Sequence, residues 1–273
     1  MNGHHIRYAI YRACEGHADT GRRMLMLHGA GVAGELTWEG IIGFLTQWDE
    51  ILVPDFRGAG ETVSEQGDEL PYTLAELGHD VVALLEHVGW QSMDLAGYSM
   101  GGLVSMLVKA QWSGQVNQQF LLESAGLERK DFDEALNLRK RYQTAVSALK
   151  SDDVDQGVVA FLDIISPKRK VSAAVERITI DRLGHRPQGF AHALDAVTHC
   201  FNGLDRDSLL AAQGEVLSFV GANSPEGLHE FQAHLVSSRA NWQSIEVRGT
   251  DHSLPYQKPR QIAQHMNQAV SVV

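Results

Sequence analysis

The sequence predicts an α/β protein with a mostly parallel central sheet flanked by helices, and two observations lead to this fold class. Short apolar runs that end in glycine or a charged residue alternate along the chain with longer segments of helical periodicity. Such runs are typical of strands buried on both faces, as in parallel sheets covered by helices. The length of 273 residues, 44% of them hydrophobic, is sufficient for a sizeable core in one domain.

The first half of the chain contains most of the predicted elements. They are an edge strand at 5–13, strands at 22–29 and 49–58, helices at 38–48 and 73–90, a strand at 91–99 and a helix from Met100 to Trp112. The helix at 73–90 has the clearest pattern, because apolar residues recur there at three- and four-residue steps behind Thr73, a preferred N-cap residue.

One long segment interrupts the alternation. Residues 127–207 are charged and helix-prone and show no convincing strand, so we predict a helical lid inserted into a core made of residues 1–126 and 208–273. The remaining predicted core elements are strands at 117–124, 215–221 and 243–249, a helix near 228–236 and a closing helix at 258–270.

Composition limits the classes of partner and the compartment. The formal charge of −11 and the lack of a Lys/Arg-rich stripe argue against binding to nucleic acid or an anionic membrane, and favour a small neutral or apolar ligand. Cys14 and Cys200 are far apart and outside any CxxC pattern, so neither a disulfide framework nor a metal site is expected. With no leader-like or membrane-spanning run, we expect a soluble cytoplasmic protein.

The stretch "MDLAGYSMGGLVSML" places a serine between two glycines, after a predicted strand and at the start of a predicted helix. This is the arrangement that holds a nucleophilic hydroxyl on a sharp turn at the carboxyl end of a central strand. Small residues at 97, 101 and 102 are needed there, because larger side chains would collide with neighbouring backbone. We therefore predict that Ser99 is a nucleophile rather than an ordinary helix cap.

A serine hydroxyl needs a base and donors for the developing oxyanion. His252 lies in the loop between the last predicted strand and the last helix, where it can reach the carboxyl edge of the sheet. The amides of Ala30, in "LHGAG", and of Met100 are the predicted oxyanion donors. Four other histidines fall on predicted helices and are expected on helix faces: His79, His87, His192 and His234.

The ordered motifs "HGAG", "DFRGAG", "GYSMGG" and "GTDHS" resemble those of the α/β-hydrolase superfamily. The resemblance covers the chain outside the lid and implies the α/β-hydrolase fold. It also implies that the "PDFRGAGET" segment is structural, with Asp55 and Arg57 bracing their loop by an ion pair.

The chain departs from the superfamily pattern at the acid that orients the histidine. Most relatives carry an aspartate shortly after the strand read here as "EVLSFVG", but this chain has Asn223 and Ser224 there. A carboxylate is needed because it fixes the imidazole tautomer and stabilises the imidazolium. Some members carry the acid at the end of the preceding strand, where this chain has Glu123, which we favour over Glu226.

The resemblance predicts a serine hydrolase, in the first place a carboxylesterase acting on a small ester or acyl compound without a cofactor. A C–C bond hydrolase is an alternative, because relatives with that activity have a Gly-rich loop before a tryptophan, as "HGAGVAGELTW" has. In that case Trp38 is expected to contact substrate; otherwise it is a core residue. A cofactor-free dioxygenase of the same fold is a further alternative, because some of these enzymes also carry their acid at the position of Glu123. A non-catalytic binding protein is the last alternative, and its only support is the missing acid after the later strand. Apolar substrate contacts are expected from the lid, at Phe161 and Phe190.

Overall fold

The computed structural model describes residues 1–13, 20–112, 114–151 and 153–271. Cys14 lies outside this described part of the chain. The strands run over the following residues: β1 His4–His5, β2 Tyr8–Arg12, β3 Arg23–Leu27, β4 Glu50–Pro54, β5 Val63–Ser64, β6 Ser92–Tyr98, β7 Gln115–Leu122, β8 Val216–Gly221 and β9 Trp242–Val247.

Seven of these strands form the central sheet in the order β2-β4-β3-β6-β7-β8-β9. Strand β2 lies at one edge and is antiparallel to β4, and the other pairs are parallel. The edge strand and the mostly parallel sheet predicted from the sequence are therefore confirmed. The two-residue strands β1 and β5 pair separately, and their shortness explains why no sequence pattern indicated them.

The sheet is buried on both faces, which accounts for its unbroken apolar runs. In β3, Leu25 and Leu27 belong to one hydrophobic cluster, whereas Met24 and Met26 belong to the cluster on the other face. This alternation follows from the two-residue period of a strand.

The helices run over α1 Gly34–Ile42, α2 Leu74–Val88, α3 Met100–Gln111, α4 Phe132–Leu149, α5 Val154–Ile165, α6 Ala173–Leu183, α7 Pro187–Phe201, α8 Arg206–Ala211, α9 Glu226–Ser238, α10 Leu254–Gln257 and α11 Pro259–Val270. Helix α2 begins with a capping box, in which the Thr73 side chain accepts from the Glu76 amide and the Glu76 carboxylate accepts from the Thr73 amide. Among the described residues, the segment between β7 and β8 contains helices and no strand.

One predicted helix had the wrong bounds, and one short helix was missed. Helix α1 begins at Gly34 and ends at Ile42, several residues before the predicted 38–48, and Gly34 makes a close approach to the Pro54 carbonyl, which leaves no room for a side chain. The short helix α10, directly after His252, was not predicted, because four residues are too few for a periodic pattern.

Candidate active site

Ser99 lies in the single-residue connection between β6 and α3 with backbone angles of φ 52° and ψ −117°. A positive φ is unfavourable for a residue with a side chain and persists only where the surroundings enforce it. Here the Ser99 amide donates to the Leu122 carbonyl at 3.0 Å, and the Ser99 carbonyl accepts from the Ala125 amide at 2.9 Å. The end of β7 therefore holds the turn in place.

The three glycines around Ser99 are required by close backbone contacts. A Cβ atom on Gly97 would lie 2.4 Å from the Gly101 carbonyl oxygen, and one on Gly101 would lie 2.3 Å from the Leu27 oxygen. A Cβ on Gly102 would lie 2.6 Å from the Ser124 side chain. These distances give the physical reason for the small residues that the sequence pattern contains.

His252 faces Ser99 from the loop that follows β9. Its Nε2 lies 3.1 Å from Ser99 Oγ, and its Nδ1 lies 2.8 Å from Glu123 Oε2. Since the carboxylate can only accept, Nδ1 carries the proton and Nε2 is free to accept from the serine hydroxyl. The three side chains thus form one hydrogen-bonded line, an arrangement that is chemically able to support acyl transfer.

Glu123 follows β7 directly, has a positive φ of 40° and is 3% exposed. Its second oxygen, Oε1, accepts from the Gly221 amide at 2.7 Å and from the Ser224 hydroxyl. These donors satisfy a carboxylate that would otherwise be buried at high cost. Ser224, which with Asn223 stands where the sequence analysis expected an acid, therefore donates to the Glu123 carboxylate, and sequence analysis missed this contact.

Glu226 lies elsewhere. It is an exposed residue at the first position of α9, and within the described part of the chain it makes no contact with His252. The structure therefore brings Glu123, and not Glu226, to the imidazole.

Tyr98 contacts both the backbone and the ring of His252. Its hydroxyl donates to the His252 backbone carbonyl at 2.9 Å, and its ring lies 5.2 Å from the imidazole, measured between centroids. Burial raises the pKa of Tyr98 well above its ordinary value, so the hydroxyl keeps its proton and remains a donor.

The loop after β3 brings the Ala30 amide to the same edge of the sheet. Buried His28 holds this loop: its Nε2 accepts from the Phe56 amide at 2.8 Å, and its Nδ1 lies 2.6 Å from the Gly29 carbonyl. Burial lowers the pKa of His28, which favours the neutral ring that this pair of contacts requires. The Met100 amide belongs to the first turn of α3 and has no acceptor within its helix. Ala30 and Met100 both line the inner cavity together with Ser99, and their role as oxyanion donors stays a prediction.

Two cavities meet at Ser99 and His252. The inner cavity, of about 50 Å³, lies beneath α4 and α7, and the outer cavity, of about 250 Å³, lies against α5, α6 and the loop after His252. Ala30, Phe161 and Ile165 line both cavities together with the serine and the histidine. Phe161 therefore lies where the sequence analysis expected a lid residue to contact substrate.

Trp38 and Phe190 are placed differently from the expectation. Both are fully buried, and neither is among the residues that line these two cavities. Trp38 lies on the buried face of α1 and packs in the core, whereas Phe190 packs against Phe161 at 5.0 Å between ring centroids and against Gly31. An apolar residue after a Gly-rich loop, or on a lid helix, has the same sequence pattern whether it faces a core or a ligand.

The expected ion pair between Asp55 and Arg57 was wrong. Arg57 instead pairs with Asp80 of α2, with its Nε 2.6 Å from the carboxylate, and Asp55 accepts from the amides of Gly34 and Glu61. Both residues are structural, as expected, but they brace different neighbours. An ion pair with a residue 23 positions away leaves no local signal in the sequence.

The described residues hold no group of three or more His, Cys, Asp or Glu side chains arranged to bind a metal ion. Within the same residues, no helix is long and apolar enough to cross a membrane.

Comparison with known proteins defines the class. The model of the alpha/beta hydrolase family matches residues 24–265, and the chain belongs to this family. A carboxylesterase structure from Nitrososphaera gargenis matches with a TM-score of 0.76 and 17% identity, over 99% of this chain and 95% of that one. The enol-lactonase from Burkholderia xenovorans matches with a TM-score of 0.74 and 18% identity, over 99% and 98%. The fold is therefore the α/β-hydrolase fold.

Curated relatives match over shorter stretches. An uncharacterised protein of Mycobacterium tuberculosis is 29% identical over 119 residues, which is 44% of this chain and 34% of the relative. Pyrrolizixenacetamide deacetylase of Xenorhabdus hominickii is 30% identical over 102 residues, 37% of each chain. The matches span about a third of the length of these relatives.

Proposed function

We propose that the protein is a carboxylesterase that hydrolyses a small ester through an acyl-enzyme on Ser99. The observation that carries the proposal is the hydrogen-bonded line from Ser99 through His252 to Glu123, at the point where two cavities meet. A hydrolase is also the activity that membership of the family indicates. The similar proteins include a carboxylesterase, an enol-lactonase and a deacetylase, all of which are named for acyl chemistry.

The proposed reaction follows from the geometry. His252 Nε2 accepts the Ser99 proton as Oγ attacks the ester carbonyl, and Glu123 stabilises the imidazolium that results. The amides of Ala30 and Met100 donate to the oxyanion of the tetrahedral intermediate. The ester C–O bond then breaks, the alcohol leaves with the proton from His252, and water hydrolyses the acyl-serine by the same steps.

The test is the Ser99→Ala variant assayed with p-nitrophenyl esters. We expect loss of all but a few per cent of the ester hydrolysis with the fold retained in thermal melting, because the hydroxyl carries the covalent step. An organophosphonate or sulfonyl fluoride probe should label wild-type protein at Ser99, as one modified peptide in mass spectrometry, and should not label the variant. A variant that keeps its rate, or a wild type without esterase activity, would refute the proposal.

A further inference from the structure

The two cavities at Ser99 differ in size, and this difference bears on the two halves of an ester. A cavity needs roughly 10–15 Å³ of free space to hold one water, so the inner cavity of about 50 Å³ is a small one. The outer cavity of about 250 Å³ is five times larger. The larger half of an ester therefore fits best on the outer side.

A buried ion pair forms part of the otherwise largely apolar wall of the inner cavity. Arg139, on α4, pairs with Glu128 at the wall of the inner cavity, and the side chains of both are largely buried. The guanidinium also lies 4.9 Å from the ring centroids of Tyr142 and Phe201. A longer apolar chain that reached this wall would have to separate Arg139 from Glu128. Separating a buried ion pair is strongly unfavourable.

The outer cavity opens instead onto apolar surface. Three lid residues on its wall keep exposed side chains: Val171 at 41%, Val175 at 49% and Ile178 at 50%. Burying methylene groups against such a surface stabilises a bound ligand. The outer side therefore favours a long apolar substituent that continues past the rim of the cavity.

The position of His252 assigns the halves of the ester to the cavities. The outer cavity is lined by the loop that carries the imidazole, through Ser253, Tyr256 and Gln257. Met100, one of the two predicted oxyanion donors, and Ala125 line the inner cavity alone, whereas Ala30 lines both cavities. Because the imidazolium must reach the departing oxygen, the alcohol belongs on the side of the histidine loop and the acyl group on the inner side.

We propose that the substrates are esters of a short acyl group with a large apolar alcohol. This inference rests on the proposed esterase function. In each turnover Ser99 Oγ bonds to the short acyl carbon, and the bond from that carbon to the alcohol oxygen breaks. The alcohol takes the proton from His252, and water then releases the short acid and restores the serine.

Two isomeric esters test the assignment. Octyl acetate and ethyl octanoate have the same atoms but place the long chain on opposite sides of the ester group. We expect kcat/KM to be at least about tenfold higher for octyl acetate, because ethyl octanoate would have to place its long chain in the smaller cavity. A smaller preference or the reverse order would overturn the inference. Failure to hydrolyse these esters and p-nitrophenyl acetate alike would instead refute the esterase function itself.

A substitution at the rim provides the second arm. Ile178→Asp should lower the ratio of kcat/KM for octyl acetate to that for ethyl acetate by about tenfold, because it places a charge where the long alcohol lies. Val236→Asp, at another exposed apolar residue on α9, is the matched control and should leave the ratio unchanged. An unchanged ratio in Ile178→Asp, or an equal fall in both variants, would count against a long alcohol at α6.

Discussion

Ser99 combines the proposed nucleophilic hydroxyl with a backbone conformation that costs stability. Its φ of 52° with ψ of −117° lies in a sparsely populated region, which costs a residue with a side chain on the order of 1–3 kcal/mol. The hydrogen bonds from the Ser99 backbone to the end of β7 enforce this conformation, which places the hydroxyl at the junction of the two cavities. The strain is thus local to the residue that the proposed chemistry needs.

Comparison of Ser99→Gly with Ser99→Ala measures this strain. Both variants lose the hydroxyl and its hydrogen bond to His252. Alanine keeps a Cβ atom at a positive φ, whereas glycine has none and is therefore not strained there. We expect Ser99→Gly to be more stable than Ser99→Ala by about 1 kcal/mol in the free energy of unfolding, measured by urea denaturation. Equal stabilities, or alanine as the more stable variant, would show that the turn is not strained.

Glu123 is the residue on which the proposed catalysis differs from the common pattern of the family. Glu123→Gln should keep the shape of the side chain but lose the charge that stabilises the imidazolium, and we expect kcat to fall by about 10³–10⁴ on p-nitrophenyl acetate. Glu226→Gln is the matched control and should be nearly silent, since Glu226 is exposed at the start of α9.

Thermal melting of both glutamine variants separates catalysis from folding, because a change at a buried carboxylate also affects stability. If Glu226→Gln were the damaging variant, the carboxylate that the structure places against His252 would not be the functional one.

At the scale of elements, the packing of α3 against the sheet depends on glycine. Gly101 brings the first turn of α3 against the end of β3, where a Cβ atom would lie 2.3 Å from the Leu27 oxygen. Gly78, in the middle of α2, has no atom within 4 Å of the position that its Cβ would take. The close packing therefore requires glycine at position 101 but not at position 78.

Gly78→Ala should stabilise the protein by about 0.5–1 kcal/mol, because alanine is the better helix former and the space for its methyl group is free. Gly101→Ala should destabilise it by about 1–3 kcal/mol and lower esterase activity, because the helix must move away from β3. Urea unfolding of both variants is the measurement. Destabilisation by Gly78→Ala would contradict the free space that the structure shows around this residue.

At the scale of the whole molecule, the segment between β7 and β8 is fixed to the sheet domain at the start of α7. Arg186 donates to the carbonyls of Ala59, Gly60 and Thr62 and pairs with Glu69. A few residues on, Gly189 contacts Gly58 so closely that a Cβ atom on it would lie 1.9 Å from the Gly58 oxygen. Phe190 then packs on Gly31, in the loop that carries the Ala30 amide. This contact links the helical segment to the proposed oxyanion donor.

Gly189→Ala should therefore affect both stability and activity, although residue 189 does not line the cavities. We expect a loss of about 1–3 kcal/mol in the free energy of unfolding and a lower kcat for ester hydrolysis. Gly203→Ala, in the turn after α7 and with free space around it, is the control and should change neither quantity. Equal behaviour of the two variants would contradict a close contact at the start of α7.

The sequence by itself determined the fold class, the order of the main elements and the turn that carries Ser99. These features are local: the period of apolar residues selects helix or strand, and the short side chains around Ser99 permit its turn. The motif order then indicated the α/β-hydrolase superfamily, which the family match confirmed.

Only the tertiary structure decided which carboxylate meets His252, which apolar residues line the cavities and which partner Arg57 takes. Glu123 and His252 are 129 positions apart, and the donors that support Glu123 come from a third segment. Trp38, Phe161 and Phe190 are all apolar and largely buried, yet of these Phe161 alone lines the cavities. The physical reason is that contacts between distant segments arise from the packing of whole elements, which local propensity does not encode.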